Sequence, residues 1–377
     1  MKSMKRWTLL LLVWPTLALT QLKMELEAES GYTSNAFNNY TQAADYYTTL
    51  SVQANYDRMS DYSGWRGFYS GSLEAFKQYR ERTYQLHGLG ITHFRLWGEK
   101  GHRWQSGVTV QKRLHTEEYR WYEMQQWTAY TNVNYLLSDA FYFYTGANLQ
   151  YRNFSLFKAF SYEQQNVFGR LSWFSAAGTS VSVEANLLVK NYLHSASTSG
   201  PEELPDLMAV GSGSSRQAVL GLRVAQSLSP TIGISLAVQQ RINMNNSLRY
   251  LGNVDGYYYS DEELFDDFYG YHGVDISPTI KKLFNHGVSA SLGATWQHKQ
   301  YDNRQAAQFD GTLYDDGRLR DDKRLLWWVG VEKKWSLAAG VAPLVMSLRY
   351  TNIQNHSNDS FYHYNSGWFG VTVSHDF

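Results

Sequence analysis

Cysteine is absent from all 377 residues, which excludes disulfides and thiolate metal ligands together. An excess of charge of either sign is absent too. Lys and Arg number 34 and Asp and Glu number 34, so net charge points to no nucleic-acid partner. Beyond the first twenty residues there is no long apolar run. Mean hydropathy is negative, and nothing later approaches the roughly 20 apolar residues of a membrane helix. The signatures of enzymes are missing as well: no G-x-S-x-G, no H-E-x-x-H, no P-loop and no dinucleotide fingerprint. The 11 His residues are scattered. His87 and His93 would share one face of a strand, too far apart along it to hold one ion, and such His residues read as lumen-facing. No metal or cofactor is expected.

What the chain has instead is aromatic residues and alternation. Phe, Trp and Tyr make up 16%, with 29 Tyr and 13 Trp. Residues 1–20 open with Lys2, Lys5 and Arg6, run through an apolar stretch from Trp7 to Trp14, and leave by way of small residues. That is the layout of a cleaved secretory leader. Residues 21–377 then form one unit.

In its first stretch Leu22, Met24, Leu26 and Ala28 alternate with Lys23, Glu25, Glu27 and Glu29. A period of two puts these sets on opposite faces of a strand. Charge at every second position cannot face a dry core. It can face a water-filled lumen while the apolar set faces lipid. The same pattern recurs through Trp127 to Tyr135, Phe141 to Tyr151, Val181 to Val189 and Ile232 to Val238.

Short links, such as those at Ser138-Asp139 and Ser229-Pro230, alternate with long polar ones. That is the rhythm of an antiparallel up-and-down barrel. To keep it, residues 245–284 must hide a strand from about 268 to 279, with Pro278 at its end and a turn near Lys281 and Lys282. The fold expected is therefore all-β, a transmembrane barrel of about sixteen strands, with fourteen as the next count. Residues 84–97 fit least well, because Leu89 and Ile91 break the parity of Leu86 and Phe94. Tyr119, Trp121, Tyr122, Tyr151, Tyr192, Trp296, Tyr301 and Tyr350 fall near strand ends, where girdles at the two lipid–water boundaries are expected.

The last residues alternate again: Phe369, Val371, Val373, His375 and the terminal Phe377 on one face, Gly370, Thr372, Ser374 and Asp376 on the other. This resembles the C-terminal strand of bacterial outer-membrane β-barrels, a porin-like class. The resemblance implies that Phe369, Val371, Val373 and Phe377 are read by the barrel-assembly machinery. It also implies residence in the outer membrane of a Gram-negative-type bacterium, among lipid and lipopolysaccharide.

Parity then assigns the lumen. Its cations would be Arg66, Arg95, Arg113, Arg152 and Arg170, continued by Lys190, Arg223, Arg241, Lys299, Lys334 and Arg349. Against them stand Glu184, Asp275, Glu332, Asp376 and the acidic row of the first strand. Arg152, Lys190, Arg241 and Lys299 fall at the outward end of their strands, as a ring that would concentrate anions. Two acidic stretches, 255–267 and 302–322, read as solvated loops. Their oxygens and Gly311 and Gly317 would suit Ca²⁺, but the spacing is not that of an EF-hand. The function expected is passive diffusion of small hydrophilic solutes or ions, leaning to anions. The alternatives are a barrel for surface-protein secretion or assembly, or a hydrolase active at the rim.

Overall fold

In a computed structural model of the chain, residues 22–99, 101–195, 207–210, 213–245, 247–251, 270–338 and 341–377 are described. The expected leader over 1–20 and the acidic stretch 255–267 lie outside the described residues. The strands are β1 (Leu22–Thr33), β2 (Asp45–Met59), β3 (Ser63–Phe76), β4 (Tyr84–Trp97), β5 (His102–His115) and β6 (Met124–Leu136). They continue with β7 (Phe141–Phe154), β8 (Tyr162–Phe174), β9 (Thr179–Tyr192), β10 (Leu207–Val210), β11 (Ser214–Ser229) and β12 (Ile232–Asn243). The last are β13 (Leu248–Leu251), β14 (Tyr271–Leu283), β15 (Val288–Gln305), β16 (Leu319–Trp335), β17 (Leu344–Ser357) and β18 (Tyr364–Asp376).

Among the described residues, sixteen of these close into one antiparallel barrel, each paired with its neighbours in sequence and β1 with β18. The remaining two, β10 and β13, pair with each other as a separate ribbon between long links. At four residues each, Leu-Met-Ala-Val and Leu-Arg-Tyr-Leu, its strands are too short to show an alternation inside links that read as polar loops. The strand required by parity exists as β14, but it runs on to Leu283, and its turn is 284–287. There His286 and Gly287 both take the left-handed backbone, with φ of 60° and 71°. Pro278 lies within β14, not at its end. It keeps its partner Leu236 in β12, while pairing with β15 lapses at Ser277 and Pro278, where proline has no N–H to give.

Because cross-strand partners share a face, one parity propagates around the whole wall. The row Leu96, Arg103, Asn134, Tyr144, Arg170, Glu184 passes partner to partner from β4 to β9. It continues through Gly221, Gln239, Asp275, Gln297, Arg324 and Asn355 to Tyr364. It starts at the foot of β4, beside a short turn, and ends at the head of β18, beside a long link. That climb is the stagger a tilted, closed barrel requires.

The outward face is apolar and solvent-facing around the circumference: Leu26, Leu50, Leu89, Val108, Leu149, Val183, Leu220, Leu292, Val329 and Phe369 are all exposed. So large an uncovered apolar belt belongs in a bilayer. On the inward face, aromatic rings lie across glycines where backbone must be covered without a side chain. The ring of Tyr47 lies over Gly31, where an added Cβ would come within 2.6 Å of it and 2.3 Å of the Phe369 carbonyl oxygen. Its hydroxyl donates to Glu29 Oε1 at 2.6 Å.

Two expectations about faces fail. Arg95 is the partner of Ser63 and Trp104, on the face of Leu89 and Ile91, so it points outward and not into the lumen. His87 and His93 share that outer face, with His93 between Trp65 and Trp104. Leu89 and Ile91 set the parity of β4, and register turns Leu86 and Phe94 inward, where Leu86 packs against the Tyr119–Tyr122 cluster and Phe94 lies under Arg66 and Arg103.

Candidate functional site

The inward face of the barrel divides by charge. Around β18, β1, β2 and β3 it carries Asp376, Glu25, Glu27, Glu29, Asp57 and Glu74, joined by register. Of these, Asp57 is held by Arg66 through two bonds of 2.6 and 2.9 Å. Across the lumen, on β7 to β12, stand Arg152, Arg170, Lys190, Arg223 and Arg241. In a sixteen-strand ring β1 and β9 lie half a turn apart, so the two charge types face each other.

The cations named from sequence are seated in different ways. Arg152 Nε donates to Gln126 at 2.9 Å and lies over the Tyr162 ring. Lys190 and Lys299 are buried, their ammonium groups 4.4 Å from the Tyr162 centroid and 5.1 Å from that of Tyr271. Arg241 sits 3.9 Å from Asp275 and donates to Gln239. The expected outer ring is thus inward-facing, yet packed on aromatic faces and amides. Arg113 donates to the Tyr122 carbonyl at 2.9 Å. Lys334 is 3.5 Å from Glu332, and Arg349 lies over Trp328 at 4.3 Å. Arg223 lines the lumen without an ion partner among the described residues.

The outer end is not open in the way alternation alone suggests. Tyr119, Tyr122, Met124, Phe154, Phe157, Phe160 and Tyr162 form a buried cluster at the heads of β5 to β8, and Phe361 packs against it. Phe361 belongs to the link between β17 and β18, nearly half a turn away, so that link reaches across the mouth. Tyr40, from the link after β1, meets both Phe309 and Phe361, with centroids at 5.3 and 5.7 Å. Tyr119, Tyr122, Tyr192 and Tyr301 therefore belong to the mouth interior. Tyr151, Trp296 and Tyr350 are on the outer surface, as a girdle requires.

Charged groups pin these links. Arg320, almost fully buried, is bound twice by Asp322 at 3.0 and 2.5 Å and lies between the rings of Tyr301 and Tyr362. Arg304 donates to the Tyr362 hydroxyl at 2.8 Å. Asp359 accepts from the backbone N–H of Ala307 and of Phe361, which ties residues 306–318 to 358–363. Burial pushes the Asp359 carboxyl above the usual carboxylate range, against the pull of Arg320 and Arg304. Asp45, fully buried, accepts from the N–H groups of Tyr46, Gln78 and Tyr79.

The acidic stretch 302–322 does not converge. Asp302 meets His272 and Asp321 meets His298, both on the outer surface. Asp316 is held by Arg318, which lowers its pKa. Asp310 accepts from Thr312, and Asp322 turns inward to Arg320.

No family model matches the chain, and no curated protein matches it. Solved structures do. The chain is similar to Pseudomonas aeruginosa OpdL, with 11% identity, 95% of this chain and 98% of that one covered, and a TM-score of 0.51. The outer membrane protein OprD from Pseudomonas aeruginosa follows, with 11% identity, 95% and 94% covered, and a TM-score of 0.48. At such identity the likeness to OpdL is one of fold alone, over nearly the whole of both chains.

Proposed function

We infer that the chain is a channel in the outer membrane of a Gram-negative-type bacterium, through which small hydrophilic solutes diffuse passively. One observation carries the reading. A single parity, unbroken through sixteen strands, gives a wall that is apolar outward and charged or polar inward. A barrel of this size has room for an aqueous path, and only such a path makes so many inward charges tolerable. The linked loops at the mouth narrow the path and set what size of solute enters.

A mild preference for anions accompanies this reading. It rests on Arg170, Arg223 and Arg349, whose charge faces the lumen without a salt bridge among the described residues, more than on the four mouth cations first singled out. The acidic wall on β1 moderates it. Single-channel recording of the detergent-refolded protein in planar bilayers tests both parts. Discrete conductance steps and a salt-gradient potential of anionic sign are expected. Absence of any step above the bare bilayer would remove the channel reading.

A further inference from the structure

The lipid-facing side of β14 carries a break in its ladder. Pro278 has no N–H to donate, and pairing with β15 lapses at Ser277 and Pro278. The register on either side of the break sets Pro278 opposite Ala294. Flanking them on the same outward row stand Leu236 of β12 and Trp327 of β16. Two short side chains between two large ones leave a trough in the outer wall. With Ile280 and Leu292 also lining it, the trough has a volume of about 810 Å³.

The trough leads toward the short-turn end of the barrel, which is the periplasmic end in barrels of this kind. The next outward row is Ile234, Ile280, Leu292 and Val329, and the one after it is Ile232, Lys282, Ala290 and Val331. Lys333 follows one outward position beyond Val331, beside Val288. Lys282 and Lys333 thus flank the start of β15 from its two sides. Lys282 lies 5.0 Å from the centroid of Phe284. Lys333 donates to the His286 carbonyl, in the turn where His286 and Gly287 take the left-handed backbone. That bond fixes the ammonium group and leaves two of its three protons to give. Among the described residues neither lysine has an ion pair, and no acidic side chain faces outward at this level on β12, β14, β15 or β16. Phe284 and Trp335 are exposed beside them, as aromatic residues are at a lipid–water boundary.

We propose that this trough seats one acyl chain of an anionic phospholipid of the periplasmic leaflet, its phosphate held between Lys282 and Lys333. The depths agree. From Lys282 to Pro278 the strand advances about 13 Å at roughly 3.3 Å per residue, which a tilt of about 40° reduces to about 10 Å of depth. One leaflet contributes about 15 Å of hydrocarbon. A chain hanging from a headgroup on the two lysines therefore reaches Pro278 and Ala294 without leaving its leaflet. A lipid of the outer leaflet would carry its head at the other boundary, far from both lysines. A zwitterionic headgroup would bring an ammonium group to a level that offers it no carboxylate. Only the outward face is used, so the site does not depend on what passes through the lumen.

The test is native mass spectrometry of the folded full chain, released into detergent from bilayers of phosphatidylglycerol and phosphatidylethanolamine in equal amounts with the same acyl chains. Folding of each variant is checked by the gel shift on boiling. One phosphatidylglycerol per barrel is expected, retained about tenfold or more over phosphatidylethanolamine, the scale of two lysines acting on one anionic headgroup. Lys282→Gln combined with Lys333→Gln should bring that ratio close to one. Ala294→Leu fills the trough while keeping an apolar side chain toward lipid, and should cut retention of phosphatidylglycerol severalfold with both lysines present. Lys112→Gln, on the outward face of β5 beside His87, is the control and should change neither. Equal retention of the two lipids by the wild-type barrel, an adventitious boundary lipid only, would overturn the site. So would an unchanged ratio in the double variant, or unchanged retention in Ala294→Leu. Conductance does not enter the readout, so loss of the channel reading would leave this result standing.

Discussion

Phe377 and Met24 exchange both of their backbone hydrogen bonds, the Phe377 N–H donating to Met24 at 2.7 Å and the Met24 N–H to Phe377 at 3.2 Å. The last residue of the chain thus extends the closure of β18 on β1. Its side chain points outward, exposed, against the ring of His375 at 4.5 Å.

Deleting Phe377 removes these two bonds, each worth about 1 kcal/mol net, a small loss beside that of a whole barrel. The larger effect expected is on assembly. Export should continue while the folded fraction in the membrane falls severalfold. The readout is the band that migrates differently on SDS gels before and after boiling. An unchanged folded fraction would separate the terminal aromatic residue from assembly.

Gly31→Val should destabilise the barrel where it closes. A Cβ there would lie 2.3 Å from the Phe369 carbonyl oxygen and 2.6 Å from the Tyr47 ring. The ring can swing away, but the backbone oxygen cannot. A cost of about 1 to 3 kcal/mol is expected, read as a lower urea midpoint. Gly67→Val is the control, since nothing lies within 4 Å of a Cβ at that outward position.

The mouth should loosen as pH rises. An unfolded Asp titrates near 4, and burial raises Asp359 above that in the closed packing. Closing the links therefore favours the protonated form between the two values. That contribution is complete below about 4 and is lost as pH rises through the raised value. Limited proteolysis of 306–318 should accordingly be slower at acid pH than at neutral pH. Asp359→Asn, which mimics the protonated group, should flatten the dependence. An equal slope in wild type and variant would show that another group governs it.

Arg223→Glu should move the zero-current potential in a salt gradient toward cations, and the shift should shrink as salt rises, since screening shortens the reach of exposed charge. Leu236→Arg puts a charge on the lipid face instead. There the expected effect is on assembly, about 2 to 4 kcal/mol near the bilayer midplane, with unaltered selectivity in whatever folds. Selectivity unmoved by Arg223→Glu would mean that ions pass elsewhere in the lumen.

Much of the barrel was legible because strand periodicity is local. Leu22, Met24 and Leu26 against Glu25, Glu27 and Glu29 give two faces without knowledge of any partner. The alternation of short and long links supplied the count, and it required β14 where the apolar signal is weak. Residues 84–97 show the limit. Leu86 and Phe94 look lipid-facing in isolation, yet their partners assign them to the lumen and carry Arg95 outward.

The sequence by itself determined the alternation and the inward face of most cations, since each follows from a period of two along one chain, and its link lengths brought the barrel to sixteen or fourteen strands, of which closure selects sixteen. Only the tertiary structure decided that Lys190 and Lys299 are buried on tyrosine rings, that Phe361 reaches the opposite side of the mouth, and that Arg170 and Glu184 face each other unpaired. Those relations join residues on separate strands or links, and cross-strand register and barrel closure fix them, which no local pattern encodes.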